Sequence, residues 1–93
     1  MYKPKPISTD DVVVSDDILA LAEKLAENTH EVWAEGKLND GWKYGEKLDK
    51  ENKTHPLIVP YNELSEQDKD YDRRTSLEAL KLLIKLGYKI EKK

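Results

Sequence analysis

The chain contains no cysteine and no phenylalanine, and it has only four glycines and four prolines among 93 residues. Without cysteine, no disulfide can form and no cysteine-ligated zinc or iron–sulfur site can exist. No apolar run reaches the roughly 18–20 residues that span a bilayer, and the N-terminus shows no apolar signal-peptide segment. We therefore expect one cytoplasmic domain over residues 1–93, with no membrane association.

An excess of positive charge is also missing. The 16 basic and 19 acidic side chains give a net charge of −3. Proteins that bind nucleic acid usually carry a basic excess, so we expect no nucleic-acid partner. The low mean hydropathy is compatible with disorder. However, the apolar residues recur at helical spacing, which indicates ordered helices with heavily charged outer faces.

The first helix is predicted over about residues 16–36. Ser15 precedes Asp16 and Asp17, and these residue types cap a helix start and favour its positive end. Apolar residues then recur at spacings of three, four and seven, which places them on one helix face. They are Ile18, Leu21, Ala22, Leu25, Ala26, Val32 and Trp33.

The second helix is predicted over about residues 66–86. Ser65 and Asp68 resemble a capping box, with Asp in place of the usual Glu or Gln. Gly87 is suited to a C-terminal cap. The apolar stripe of this helix consists of Tyr71, Leu77, Leu80, Leu83 and Ile84.

The remaining segments predict a long ordered loop and short strands. Glycines and prolines interrupt residues 39–62, where two short strands are expected near 42–48 and 56–60. Val12–Val14 favours a short edge strand or a strap across the body of the domain, and Tyr88 with Ile90 favours a final short strand. The predicted fold class is thus mainly α, with two principal amphipathic helices, a long ordered loop and short flanking β strands.

An EF-hand is excluded by two positions. Asp68, Asp70 and Asp72 alternate as at the start of a calcium loop, but the required Gly is Arg73 and the required Glu is Ala79. We therefore interpret these acids as the beginning of the second helix and expect no calcium binding through an EF-hand.

Catalytic and metal motifs are likewise incomplete. His30-Glu31 begins like the zinc motif H-E-x-x-H, but the last position is Ala34. His55 is the other histidine. A site formed by two histidines and a carboxylate stays open, although nothing in the spacing favours it. No nucleophile motif and no phosphate loop is present. We expect no catalytic residues, no metal and no cofactor.

Aromatic and polar side chains form the one group with functional potential. They are either a core that uses Trp and Tyr in the absence of Phe, or a platform on which a planar ring such as a nucleobase stacks. For Trp33, near the end of its helix, both interpretations stay open. The group comprises Asn28, His30, Trp33, Trp42, Tyr44, Lys47, Asp49, His55, Tyr61, Tyr71, Asp72 and Arg73.

Several segments occur in an order and spacing typical of one family. They are Tyr2–Ile7, Ala26–Ala34, Gly41–Gly45, His55–Tyr61, Tyr71–Arg73, Leu77–Lys81 and Leu86–Tyr88. Together they resemble the RyR domain, a repeat found in pairs in the cytoplasmic shell of ryanodine receptor calcium channels. The same domain occurs as single copies in bacterial, archaeal and phage proteins, and this chain resembles such a stand-alone prokaryotic member.

The resemblance implies a mostly helical domain that functions as a pair. In the channels two repeats pack as a pseudo-twofold pair, so a single repeat is expected to form a homodimer. In the channels, adenine nucleotides bind between the paired repeats, and this implies an adenine nucleotide or ADP-ribose-type ligand for this chain. No channel activity is implied, because the repeats lie far from the pore.

The resemblance also assigns candidate binding residues. Trp33 corresponds to the stacking platform, and Asp72 lies where the channels tend to carry Asn. In the family's Gly-Trp segment, Leu48 replaces the Arg that would meet phosphate, and Lys50 replaces an Asp. Lys47, Lys50, Arg73 and Arg74 are possible substitutes for that Arg, as charges of different geometry.

Three functional hypotheses follow. The leading one is a small ligand-binding or sensor module that binds a nucleotide or NAD-derived molecule at a homodimer cleft. The alternative is a structural or protein-interaction module without a small ligand. An enzyme acting on a nucleotide through His30 or His55 is the least supported. The expected ligand-binding residues are Trp33, Lys47, Asp49, Asp72, Arg73, Trp42, Tyr44 and His30.

Overall fold

A computed structural model describes all residues, 1–93. The predicted mainly α class is confirmed, with two long helices that pack against each other. Neither helix combines the length and the apolar character needed to cross a bilayer. In chain order the elements are α1 (Asp16–Asn39), β1 (Lys43–Tyr44), β2 (Thr54–His55), a 3-10 turn (Tyr61–Glu63) and α2 (Glu66–Lys85).

Helix α1 begins as predicted and ends three residues later than predicted. The Ser15 hydroxyl accepts a hydrogen bond from the Ile18 amide and caps the first turn. Gly36 does not end the helix, since a single exposed glycine weakens a helix by only about 1 kcal/mol. The helix ends where Gly41 adopts a positive φ of 89° and the Trp42 amide bonds back to the Lys37 carbonyl.

Helix α2 has the predicted start and very nearly the predicted end. The Ser65 hydroxyl accepts from the Asp68 amide and donates to the Asp68 carboxylate. At the other end Gly87 has a φ of 98°, and the Tyr88 amide bonds back to the Leu83 carbonyl. Asp68, Asp70 and Asp72 all lie within this helix, as the interpretation of the acidic run required.

Strand β1 lies within the predicted range 42–48, whereas β2 directly precedes the predicted range 56–60. The two-residue strands β1 and β2 pair in parallel, with Lys43 opposite Thr54 and Tyr44 opposite His55. Both lie inside the predicted loop of residues 39–62. Neither Val12–Val14 nor Tyr88–Ile90 forms a strand, so the edge-strand interpretation of the first segment and the strand predicted at the second are wrong.

The core between the helices and the loop is small. Ala26 of α1 is fully buried and packs with Tyr61 and Leu64, and the partly buried Leu57 and Val59 complete the cluster. Eight of the 93 residues are buried. The radius of gyration is 16.1 Å, against about 12 Å for a compact chain of this length. Much apolar surface is therefore left open to solvent.

Polar contacts hold the N-terminal segment to α2. The buried Thr9 hydroxyl donates to Glu78 over 2.7 Å, and Lys85 donates to the Ser8 carbonyl over 2.6 Å. Hence the N-terminal segment lies along α2, on the side where Thr9 is buried.

A guanidinium joins the two helices. Arg73 of α2 donates to Glu23 of α1 through Nε over 2.6 Å and through Nη2 over 3.3 Å. Its Nη1 donates to Glu66 and Asp70 at 2.7 and 3.0 Å. The Tyr61 hydroxyl also donates to Glu23, so helix α1, helix α2 and the 3-10 turn meet at one carboxylate.

Candidate functional site

An open cavity of about 340 Å³ lies between α1, α2 and the segment that connects them. Its volume is at the lower end of the range for small-molecule sites. Leu57 and Leu64 contribute apolar surface from the connecting segment. The two helices contribute one face each: Thr29, His30 and Trp33 from α1, and Asp68, Tyr71 and Asp72 from α2.

The aromatic wall of this cavity is fixed from several sides. His30 is buried, and its Nε2–H donates to the Val59 carbonyl over 2.7 Å. Its ring stacks on Trp33, with centroids 5.6 Å apart and planes 28° apart. The His55 and Trp33 rings make an edge-to-face contact, with centroids 4.9 Å apart and planes 76° apart. Trp33 is thus half-buried and held in place, while its uncovered part lines the cavity.

The opposite wall carries carboxylates. Asp68 is engaged by the Ser65 hydroxyl at the start of α2. Asp72 is half-buried and accepts no hydrogen bond from the chain; its burial raises the pKa of the carboxyl, while the nearby His30 lowers it. Tyr71 stands at the rim with 74% of its surface exposed. The cavity therefore offers aromatic surface and acceptor oxygens.

No lysine or arginine lines the cavity. Arg73 follows Asp72 in sequence but points to the other side of α2, where Glu23, Glu66 and Asp70 occupy its donors. The aromatic platform is therefore flanked by negative charge rather than by the basic groups expected from the sequence.

Trp42 and Tyr44 lie outside the cavity. Trp42 is half-buried, its ring lies 6.3 Å from that of His55, and Lys37 Nζ sits 4.5 Å from its centroid. Tyr44 is in β1 and is 54% exposed. His55 thus connects Trp42 with Trp33 through edge contacts and makes the loop a support for the cavity wall.

Lys47 and Asp49 belong to the turn that returns the chain to β2. The Asp49 carboxylate accepts from the Glu51 and Asn52 amides and from the Asn52 side chain, and these bonds hold its pKa below the usual range. The Lys47 carbonyl accepts from the Thr54 hydroxyl over 2.8 Å, while its exposed ammonium makes no ion pair. Neither side chain reaches the cavity.

Of the eight expected binding residues, the structure brings three together at the cavity: His30, Trp33 and Asp72. Asp68 and Tyr71 also line the cavity, although neither is among the eight binding residues expected from the sequence; Tyr71 belongs to the wider aromatic and polar group. A signal for them is present, because Asp68, Tyr71 and Asp72 follow the i, i+3, i+4 spacing of one helix face.

The chain matches a known family model over nearly its whole length. The RyR domain model matches residues 2–92. The chain belongs to the RyR domain family. All eight residues that line the cavity of this RyR domain lie within the matched range.

The pH dependence of stability should reveal the role of His55. Burial lowers the pKa of this side chain, and the positive charge of Lys37 lowers it further. Its Nδ1 accepts from the Leu57 amide over 3.1 Å, a bond that a proton on Nδ1 would remove. Since the unfolded chain binds this proton more readily, the free energy of unfolding should fall as pH drops below about 6.5.

Denaturant titrations between about pH 5 and pH 7.5, the range in which histidine titrates, would measure this effect. His55→Asn keeps a side-chain acceptor near the Leu57 amide and removes the titration, so its slope should be shallower than that of the wild type. Carboxylates titrate equally in both proteins and cancel in the difference. Equal slopes would contradict the role assigned to His55.

Proposed function

We propose that this RyR domain is a small ligand-binding or sensor module. It takes the planar ring of a nucleotide or NAD-derived molecule into the cavity between α1 and α2. One observation carries this proposal: the structure places His30, Trp33 and Asp72, three of the expected binding residues, around the same open cavity.

The physical support is the rigidity of the aromatic wall. Trp33 is already held by the stacked His30 ring and by the edge of His55, so little conformational freedom is lost when a ring stacks on it. Stacking of one base on an aromatic side chain contributes about 1–3 kcal/mol. The exposed Tyr71 at the rim offers further aromatic surface.

We propose further that the binding unit is a homodimer in which a second copy covers the open side of the cavity. The small core and the large radius of gyration support this, because they leave apolar surface that a partner would bury. A symmetric dimer is the commonest arrangement for such a chain. Light scattering tests it, and a strict monomer at high concentration, with and without nucleotide, would contradict it.

Calorimetry tests the binding itself. ATP, ADP and ADP-ribose are titrated into the wild type, Trp33→Ala and the control Tyr44→Ala, whose side chain lies outside the cavity. We expect Trp33→Ala to weaken binding by about ten- to hundred-fold, from the loss of one stack. Tyr44→Ala should bind like the wild type. Negligible heats for all proteins, or equal affinities for wild type and Trp33→Ala, would reject the proposal.

A protein-interaction module is the second candidate. It is favoured by Val32 and Leu38, which are 61% and 55% exposed on the outer side of α1. Both line a shallow groove together with Glu31, Ala34 and Glu35. A dimer without nucleotide affinity would favour this candidate over the first.

A further inference from the structure

We infer that the cavity binds its ligand by the ring end alone and prefers a ring whose edge carries amino hydrogens or a positive charge. This inference rests on the proposed function and specifies the class of ligand that the same site accepts. It also implies that a phosphate group gains nothing from the cavity.

The first support is the chemistry of Asp72. An ionised carboxylate only accepts hydrogen bonds, and no donor of the chain reaches this half-buried one. A ring edge with N–H donors would satisfy it, whereas an edge with ring nitrogens alone would present acceptors to an acceptor. The neighbouring Asp68 adds a second carboxylate to the same wall.

The second support is the pairing of carboxylates with aromatic faces. Trp33 and Tyr71 line the same cavity as the two aspartates. A cation positioned over an aromatic face is attracted by the ring quadrupole, and a carboxylate beside it adds to that attraction. This combination suits the exocyclic amine of adenine, and equally a cationic ring such as an N-alkylated pyridinium.

The third support is where the cations lie. Arg73 is bound to Glu23 and other acids outside the cavity, Lys37 lies over Trp42, and Lys69 pairs with Glu66. None of these three lines the cavity. A phosphate placed there would face two carboxylates in a partly desolvated site, where like charges repel more strongly than in water.

Matched ligands separate the two ends of the molecule. Adenosine, purine riboside (which lacks only the exocyclic amine), AMP and 1-methylnicotinamide are titrated into the wild type by calorimetry. We expect adenosine to bind more tightly than purine riboside by about ten- to hundredfold, the value of one hydrogen bond to a charged group. AMP should bind no more tightly than adenosine, and 1-methylnicotinamide should give measurable binding.

Two variants assign the effect to the cavity carboxylate. Asp72→Asn should weaken 1-methylnicotinamide binding, because the amide removes the negative charge while it keeps the shape. It should also reduce the preference for adenosine over purine riboside. The control Asp70→Asn changes a carboxylate on the same helix that pairs with Arg73 outside the cavity, and it should leave every affinity unchanged.

The possible failures are distinguishable. If AMP binds clearly more tightly than adenosine, or if Asp72→Asn and Asp70→Asn behave alike, the inference is overturned while the ligand-binding function stands. If neither these ligands nor ATP, ADP or ADP-ribose bind to the wild type, both the inference and the proposed function are rejected.

Discussion

Replacing Gly45 by alanine is expected to destabilise the protein by about 1–3 kcal/mol, the range for overpacking a close contact. A Cβ at this position would lie 2.5 Å from Thr54 Cβ and 3.0 Å from its Cγ2 and Oγ1. The nearest atom is anchored directly to the backbone, so a side-chain rotation cannot remove the clash. One of the two strands in the loop must therefore move.

That movement should also reach the cavity. The Gly45 amide donates to the His55 carbonyl over 3.3 Å, and the His55 ring packs against Trp33. If β2 shifts away from Gly45, the edge contact that holds the Trp33 indole is loosened. We therefore expect Gly45→Ala to lower both the free energy of unfolding and the affinity for a stacking ligand.

Gly36→Ala is the matched control for this substitution. Gly36 lies within α1, and a Cβ there meets nothing within 4 Å. Alanine is favoured over glycine in a helix by about 1 kcal/mol, so this variant should be more stable than the wild type. Chemical denaturation of the three proteins gives the comparison. Gly45→Ala as stable as the wild type would show that Thr54 yields without loss.

Both helices were predictable because each combines an apolar stripe with a local capping signal. Ser15 and Ser65 cap in the structure as their position in the sequence indicates. The end of α1 at Asn39, three residues beyond the predicted end, was harder to predict. Two glycines, Gly36 and Gly41, are compatible with a helix end, and only the second takes the positive φ that lets later amides bond back.

The pairing of the loop strands could not be read from the sequence. Residue types indicate extended segments, but the pairing of Lys43–Tyr44 with Thr54–His55 depends on how the chain between them returns. That return is set by bonds among Asp49, Asn52 and Thr54, including the two backbone bonds between Asp49 and Thr54. No single residue of this turn predicts these hydrogen bonds from the sequence. Together the bonds fix the register in which β1 pairs with β2.

The candidate site was predictable in part, and its limits have a geometric cause. Successive residues of a helix are rotated by about 100°, so neighbours such as Asp72 and Arg73 can point to different surroundings. Asp72 lines the cavity, whereas Arg73 points away from the cavity, toward Glu23. Asp72 and Arg73 were both expected at the site because they are adjacent in the sequence. The cavity lacks the expected basic residue because Arg73 points away from it.

Replacing Arg73 by alanine is expected to lower the thermal unfolding midpoint by several degrees. The guanidinium donates to Glu23 of α1 and to Glu66 and Asp70 of α2, so its loss leaves three carboxylates without their shared partner. Glu23 also accepts from Tyr61, and the substitution weakens the junction where this core residue meets both helices. Isolated surface pairs contribute little, but a bidentate pair within a network contributes more.

The pH dependence gives this prediction its sharpest test. Arg73 holds the pKa values of Glu23 and Glu66 below their usual range. Stability from these pairs is therefore present above the ordinary carboxyl pKa of about 4.3 and is lost as pH falls through the lower folded values. Arg73→Ala should remove that part of the acid dependence. The control Arg74→Ala changes an exposed arginine without an ion pair and should keep it. If both variants lose the same stability at neutral pH and retain the same acid dependence, the helices are held together without this network.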